Sequence, residues 1–207
     1  MENNDWAVEN LQTIRTLMER STLYRRALAP IMLLAGIVGL IAAAIGVHFR
    51  LNTVEGFTLL WLITAIIVVG GAFLIARKQA VKDSEPFWSP PTKRVAQALV
   101  PPFTAGLLVG VLFSLGSKVR LVDFIVLLPF LWSFFYGCAL HAAGFFMPRG
   151  VRCFGWVFII SAGIGLFYVM LVRPHFDVNG HWLMGIFFGG LHLAYGGYLY
   201  LTEKKTP

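Results

Sequence analysis

The sequence predicts an all-α integral membrane protein with six transmembrane helices, both termini in the cytoplasm and an amphipathic helix before the first span. Three observations predict this fold class. Hydrophobic residues make up 57% of the 207 residues and charged residues only 13%, whereas about a quarter of the residues in a soluble domain are charged. Six apolar segments each approach the roughly 20 residues that a helix needs to cross the ~30 Å hydrocarbon core. The basic residues gather on one side of these segments.

The six segments fill most of the chain and leave no room for a separate soluble domain. A predicted cytoplasmic amphipathic helix (residues 1–26) precedes them, and a cytoplasmic tail (residues 202–207) follows them. The predicted spans are residues 27–47, 57–76, 99–116, 121–146, 154–172 and 183–201.

The 17 Lys and Arg residues predict the orientation. When alternate connections are assigned to opposite sides, the side that holds both termini carries 13 of them and the other side carries 4. Because cytoplasmic connections are enriched in Lys and Arg, we expect a multi-pass membrane protein with both termini in the cytoplasm. The net charge of +7 then reflects contact with the anionic headgroups of the lipid bilayer, and no nucleic-acid partner is expected.

The segment before the first span has the pattern of an amphipathic helix. Leu11, Ile14, Met18 and Ser21 follow a spacing of three and four residues, which places them on one helix face. That face must cover the bilayer surface, the inner face of the protein or a partner. The candidate partner-binding residues in this segment are Ile14, Met18, Glu19, Arg20 and Ser21.

The long cytoplasmic connection between the second and third spans holds the other candidate partner-binding residues, Phe87, Trp88 and Arg94. Prolines at 86, 90 and 91 exclude a regular helix there, and the two aromatic rings suit a membrane interface. We expect a short helix over residues 92–100, after which Pro101 and Pro102 begin the third span at positions that need no amide donor.

Small residues recur four apart on the first, third and last spans, as in Ala35/Gly39, Gly106/Gly110 and Gly185/Gly189. Such faces allow two helix backbones to approach closely. We expect packing within the chain, with a homodimer through one of these faces as the alternative. In the fourth span Pro129 predicts a kink.

Ionisable residues inside the membrane are candidates for function because their burial is costly. His192 lies about halfway along the last span, Tyr195 follows three residues later, and His141 lies near the cytoplasmic end of the fourth span. The simplest interpretation is a neutral His192 bonded to a carbonyl or hydroxyl group. A haem between His141 and His192 is disfavoured, because their depths differ by about 5 Å at ~1.5 Å per residue. No cofactor is expected.

The outer face carries a weak candidate metal site. His48, His175, Asp177 and His181 could supply imidazole and carboxylate ligands to zinc or copper. The spacing matches no established zinc motif.

The sequence does not predict an enzyme. Six spans with a late histidine resemble the plan of rhomboid intramembrane proteases, but the nearest serine, Ser161, lies on the fifth span and lacks the glycine two residues earlier. Phosphate-binding, Rossmann and metalloprotease motifs are absent. The cysteines, Cys138 and Cys153, lie near the reducing cytoplasmic face, where a disulfide is not expected.

Two stretches resemble a family of small bacterial multi-span inner-membrane proteins of unassigned function. They are residues 14–22 (IRTLMERST) and residues 190–196 (GLHLAYG). Members of this family are often encoded beside a winged-helix transcriptional regulator. The resemblance implies a multi-span protein of the bacterial inner membrane. No catalytic residues can be carried over from this family, because it has none assigned.

Together these patterns favour a non-enzymatic membrane protein that acts as a sensor, regulator or assembly partner through its cytoplasmic face, with a cytoplasmic or membrane protein as partner. One alternative is a small-solute transporter or channel-like protein that uses the kinked fourth span and the His192 region. A second is a membrane component that binds a metal or haem.

Overall fold

The computed structural model describes residues 27–84, 86–116, 124–172 and 178–203, and these ranges contain helices and turns but no strand. The predicted amphipathic helix of residues 1–26 lies outside them. The helices are α1 (Ala27–His48), α2 (Val54–Lys82), α3 (Pro90–Gly116), α4 (Phe124–Ala143) and α5 (Arg149–Phe167), which continues as a π-helical turn over Tyr168–Val172. The last helix, α6, comprises Gly180–Met184, a π-helical segment Gly185–Gly190, and Leu191–Glu203.

Five helices among the described residues, α1 to α5, are long and apolar enough to cross a membrane. This finding confirms the prediction of an all-helical membrane protein, whereas the sixth span and the orientation stay predictions. The backbone of α6 stays in the right-handed helical region where the π-helical segment begins and where it ends, with φ −61° at Met184 and −63° at Leu191. Residues 180–203 therefore form one continuous helix, although its hydrogen-bonding pattern changes along the way.

Helix α3 differs from its prediction. The expected break between a short helix and a span beginning at Pro101 is wrong, because one helix runs from Pro90 to Gly116 with Pro101 and Pro102 inside it. Each proline removes an amide donor. In the next turn the Thr104 hydroxyl donates to the Val100 carbonyl at 2.9 Å.

Other helix ends also shift from the sequence-based bounds. Helix α2 continues past residue 76 to Lys82, α5 begins at Arg149 rather than residue 154, and α4 ends at Ala143 rather than residue 146. The chain that follows α4 makes a close contact with α5. A methyl group added to Gly144, the next residue, would lie 2.8 Å from the Arg152 backbone, so the chain after α4 lies directly against the first turn of α5.

The small-residue faces of α1 and α6 pack against each other within the chain, as expected. A methyl group on Gly39 would lie 2.7 Å from the Phe188 carbonyl oxygen, and one on Gly189 would lie 2.5 Å from Leu40 Cδ2. One on Gly36 would lie 2.6 Å from Leu193 Cγ. Only glycine fits this contact, because the two backbones nearly touch. A homodimer through another small-residue face stays a prediction.

Pro129 of α4 also contributes to the position of α6. Pro129 has no amide hydrogen, so the Ile125 carbonyl loses the donor that a regular helix would supply. Gly180, the first residue of α6, lies directly against that carbonyl, since a methyl group there would come within 2.7 Å of the oxygen. The start of α6 is therefore fitted to the irregular turn of α4.

Candidate functional site: two buried histidines

The π-helical segment of α6 prepares a hydrogen-bond acceptor for His192. The Leu191 amide donates to the Ile186 carbonyl, five residues back. The Phe187 carbonyl consequently loses the donor that an α-helix would provide. It lies 3.3 Å from His192 Nδ1, and because a carbonyl can only accept, Nδ1 carries the proton. Such π-bulges occur frequently at functional sites.

The second ring nitrogen of His192 binds a different helix. Its Nε2 lies 2.7 Å from the Tyr136 hydroxyl of α4, and only 1% of the His192 surface is exposed. With the proton of the neutral imidazole on Nδ1, Nε2 accepts and the Tyr136 hydroxyl donates. Both nitrogens are thereby satisfied, in the arrangement expected for a neutral intramembrane histidine.

Aromatic rings enclose the His192–Tyr136 pair. Phe188 stacks on His192 at 5.8 Å between ring centroids, and Phe154 and Phe158 approach its ring edge-on at 5.3 and 5.5 Å. Phe103 of α3 lies parallel to the Tyr136 ring at 6.1 Å. The pair and its rings therefore connect α3, α4, α5 and α6 in a site where a hydrogen bond is strengthened by the low dielectric.

Tyr195 and His141 have no described hydrogen bond to this pair. The Tyr195 ring stacks on Phe154 at 4.4 Å, while its buried hydroxyl has no partner among the described residues. The His141 ring packs edge-on against Trp156 at 5.1 Å, and its Nδ1 is likewise buried without a described partner. The haem arrangement would have to displace the His192–Tyr136 or His192–Phe187 bond to free a ring nitrogen.

A second buried histidine, His181, lies at the start of α6. The indole nitrogen of Trp61 donates to His181 Nδ1 at 3.2 Å, and His181 Nε2 lies 3.0 Å from the Leu51 carbonyl. Because Trp61 can only donate and a carbonyl can only accept, His181 is the neutral tautomer protonated on Nε2. This chain of bonds joins α6 to α2 and to the loop that follows α1.

The structure describes two of the four predicted metal ligands, His48 and His181. His175 and Asp177 lie outside the described residues, and His48 is exposed with its ring against Phe49. His181 uses both ring nitrogens within the chain. Among the described residues, no group of three or more His, Cys, Asp or Glu side chains could hold a metal ion. The four-residue site therefore stays a prediction.

The loop between α2 and α3 presents an aromatic pair. The Phe87 ring packs edge-on against Phe73 of α2 at 4.9 Å and stacks on Trp88 at 6.1 Å. Trp88 is 56% exposed, and Arg94 on the first turns of α3 is also exposed. The other candidate partner-binding residues, Ile14, Met18, Glu19, Arg20 and Ser21, lie outside the described part of the chain.

We expect Trp61→Phe to destabilise the protein by about 1–3 kcal/mol, because the change leaves His181 Nδ1 buried without a donor. Thermal unfolding of the detergent-purified protein measures the effect. Trp182→Phe is the matched control, because Trp182 is 56% exposed on the same helix as His181. Equal unfolding temperatures for the two variants would contradict the assigned bond.

Comparison of the chain with known proteins identified no similar protein. No protein-family model, curated protein or solved structure matches the chain. The interpretation of both histidine sites and of the loop therefore depends on their geometry.

Proposed function

We propose that this chain is a six-span protein of the bacterial inner membrane that binds a protein partner through its cytoplasmic face, as a non-enzymatic sensor, regulator or assembly subunit. The observation that carries the proposal is Trp88, a large exposed aromatic residue in a loop whose conformation is held by its neighbours. The six-span count is supported by α6. Its 24 continuous residues extend about 36 Å at ~1.5 Å per residue, enough for the ~30 Å hydrocarbon core.

The loop is ordered in a way that favours binding. Phe87 anchors it to α2 through Phe73. On the other side, the Lys93 amide donates to the Ser89 carbonyl at 3.1 Å, and the Ser89 and Thr92 hydroxyls lie 3.0 Å apart. A pre-organised loop loses little conformational entropy on association. Tryptophan and arginine are also the residues that most often dominate interface energies, and Trp88 and Arg94 occur together here.

The buried histidines support the same proposal indirectly. His181 and His192 each use both ring nitrogens on partners within the chain. This pattern suits residues that hold helices in place. It leaves the exposed features of the cytoplasmic side, together with residues 14–21, as the surface for interaction.

Cross-linking in native membranes, followed by mass spectrometry of the co-purified proteins, tests the proposal. We expect a partner that cross-links to the full-length protein to be lost in Trp88→Ala and in a version without residues 1–22. The matched control is Trp182→Ala, because Trp182 is as exposed as Trp88, each at 56%, but lies at the opposite end of the helices.

The control variant should keep the partner at the wild-type level. Membrane abundance of each variant is measured in parallel, so that loss of the partner is distinguished from loss of the protein. The same set of co-purified proteins in all four samples would overturn the proposal.

A further inference from the structure

The first residues of the chain combine negative charge with an apolar helix face. Residues 1–14 contain three acids and no Lys or Arg, so that this stretch has a side-chain charge of −3. Ile14 and Met18, in the same amphipathic pattern, share one helix face. An apolar face preceded by acids is complementary to a surface that is both basic and apolar.

The loop between α2 and α3 presents such a surface. Trp88 is 56% exposed and Val81, in the last turn of α2, is 71% exposed. Lys82 ends α2, and Lys93 and Arg94 lie in the first two turns of α3. All three basic residues are exposed, and the short loop that joins the two helix ends keeps them close to Trp88.

The charge of this helix end is opposite to that of the first residues. Residues 77–94 contain five Lys and Arg residues and two acids, Asp83 and Glu85, which gives a net charge of +3. The Asp83 carboxylate already accepts from the Gln79 side chain at 2.9 Å. Phe87 packs against Phe73 of α2 at 4.9 Å, so the loop is held in place next to these charges.

The chain enters α1 beside this end of α2. Gly71 of α2 contacts Leu34 of the antiparallel α1. Ala27 lies seven residues from Leu34 and Lys82 lies eleven residues from Gly71, so α2 ends about 6 Å beyond the start of α1 at ~1.5 Å per residue. Packed helix axes are about 8–10 Å apart. The seven residues before Ala27 can extend about 23 Å, which is enough for earlier residues to reach the loop.

We propose that residues 1–19 dock on the loop between α2 and α3, with Ile14 and Met18 against one face of Trp88 and the acids beside Lys93 and Arg94. The two regions that hold the candidate partner-binding residues then form a single surface, so loss of either region releases the partner. That role rests on the proposed function, whereas the docking itself requires no partner.

Photocross-linking of the detergent-purified protein tests the docking. Trp88 is replaced by the photoreactive benzoylphenylalanine, the monomer is isolated after irradiation, and the linked peptides are mapped by mass spectrometry. We expect links to residues 11–18 of the same chain. The matched control places benzoylphenylalanine at Trp182, which is equally exposed at 56% but lies at the opposite end of the helices. It should give no link to residues 1–19.

Charge reversal separates specific docking from chance contact. Since each exposed ion pair contributes a factor of about two to five to an equilibrium constant, Glu2→Lys/Asp5→Lys/Glu9→Lys should lower the yield of the link by about tenfold. Lys93→Glu/Arg94→Glu in the same chain should restore most of it. An unchanged yield after reversal, or the same links from position 182, would overturn the proposal.

A bilayer provides the last arm of the test. In vesicles of phosphatidylglycerol and phosphatidylethanolamine the links from position 88 to residues 11–18 should persist. Their replacement by links to lipid would assign the first residues to the bilayer surface and overturn the proposal. Because the purified protein carries no partner, a negative result would overturn the docking alone and leave the test of partner binding unaffected.

Discussion

Replacing Gly39 by alanine is expected to lower the unfolding temperature of the purified protein markedly. The added methyl group would lie 2.7 Å from the Phe188 carbonyl oxygen and 2.8 Å from its carbon. Both are backbone atoms, so no side-chain rotation can relieve the overlap, and α1 and α6 must move apart. Overpacking of this kind typically costs about 1–3 kcal/mol.

The control for this prediction is Gly190→Ala, in the last helix. A methyl group on Gly190 would meet no atom within 4 Å, and alanine is favoured over glycine in a helix by up to about 1 kcal/mol. We therefore expect the control to be as stable as the wild type or slightly more stable. If both alanine variants unfolded at the same temperature, the close packing of α1 on α6 would be contradicted.

Replacing Tyr136 by phenylalanine is expected to have the second largest effect. The change keeps the ring in its aromatic surroundings but removes the donor to His192 Nε2, so a buried acceptor loses its partner at a cost of about 1–3 kcal/mol. Tyr198→Phe is a suitable control, because Tyr198 is 63% exposed on α6. Thermal unfolding in the same detergent compares the two variants.

A double-mutant cycle separates the bond from the rest of the packing. Tyr136→Phe and His192→Phe are measured singly and together. Interhelical hydrogen bonds in membrane proteins show coupling energies of about 0.6 kcal/mol on average and up to ~1.7 kcal/mol, and the short Tyr136–His192 bond should lie in the upper part of that range. Strictly additive effects would contradict the direct hydrogen bond.

The sequence predicted where the helices lie better than the residues at which they begin and end. Long apolar runs locate α1 to α5, because a chain in a bilayer must satisfy its backbone polar groups within each span. The same runs cannot locate the end of α2. Its last turns, as far as Lys82, are polar but consist of good helix formers, so the helix continues after the apolar pattern stops. The predicted break at Pro101 in α3 was wrong because a proline weakens a helix without always ending it.

The contacts between helices were only partly predictable. Small residues on α1 and α6 indicated close packing, and the structure pairs those faces. The partners of the buried histidines could not be predicted, because a periodic pattern shows which face of a helix is polar but not which helix lies opposite. Tyr136 and Trp61 occur in largely apolar runs with no charged residue nearby to mark them. The π-helical segment that frees the Phe187 carbonyl also leaves no signature beyond the cluster of glycines in residues 185–190.

The central claim is that the protein has six spans and binds its partner through its cytoplasmic face. Labelling of single cysteines in intact cells tests this claim most directly. In a background with Cys138→Ala and Cys153→Ala, cysteines are placed at Asn52, Lys93 and Thr202 and exposed to a membrane-impermeant maleimide. The predicted result is labelling at position 52 only, with positions 93 and 202 reacting once the membrane is permeabilised. Labelling of positions 52 and 202 from outside, with position 93 protected, would show that α6 does not cross the membrane. Labelling at 93 with protection at 52 would reverse the orientation and remove the proposed partner face from the cytoplasm.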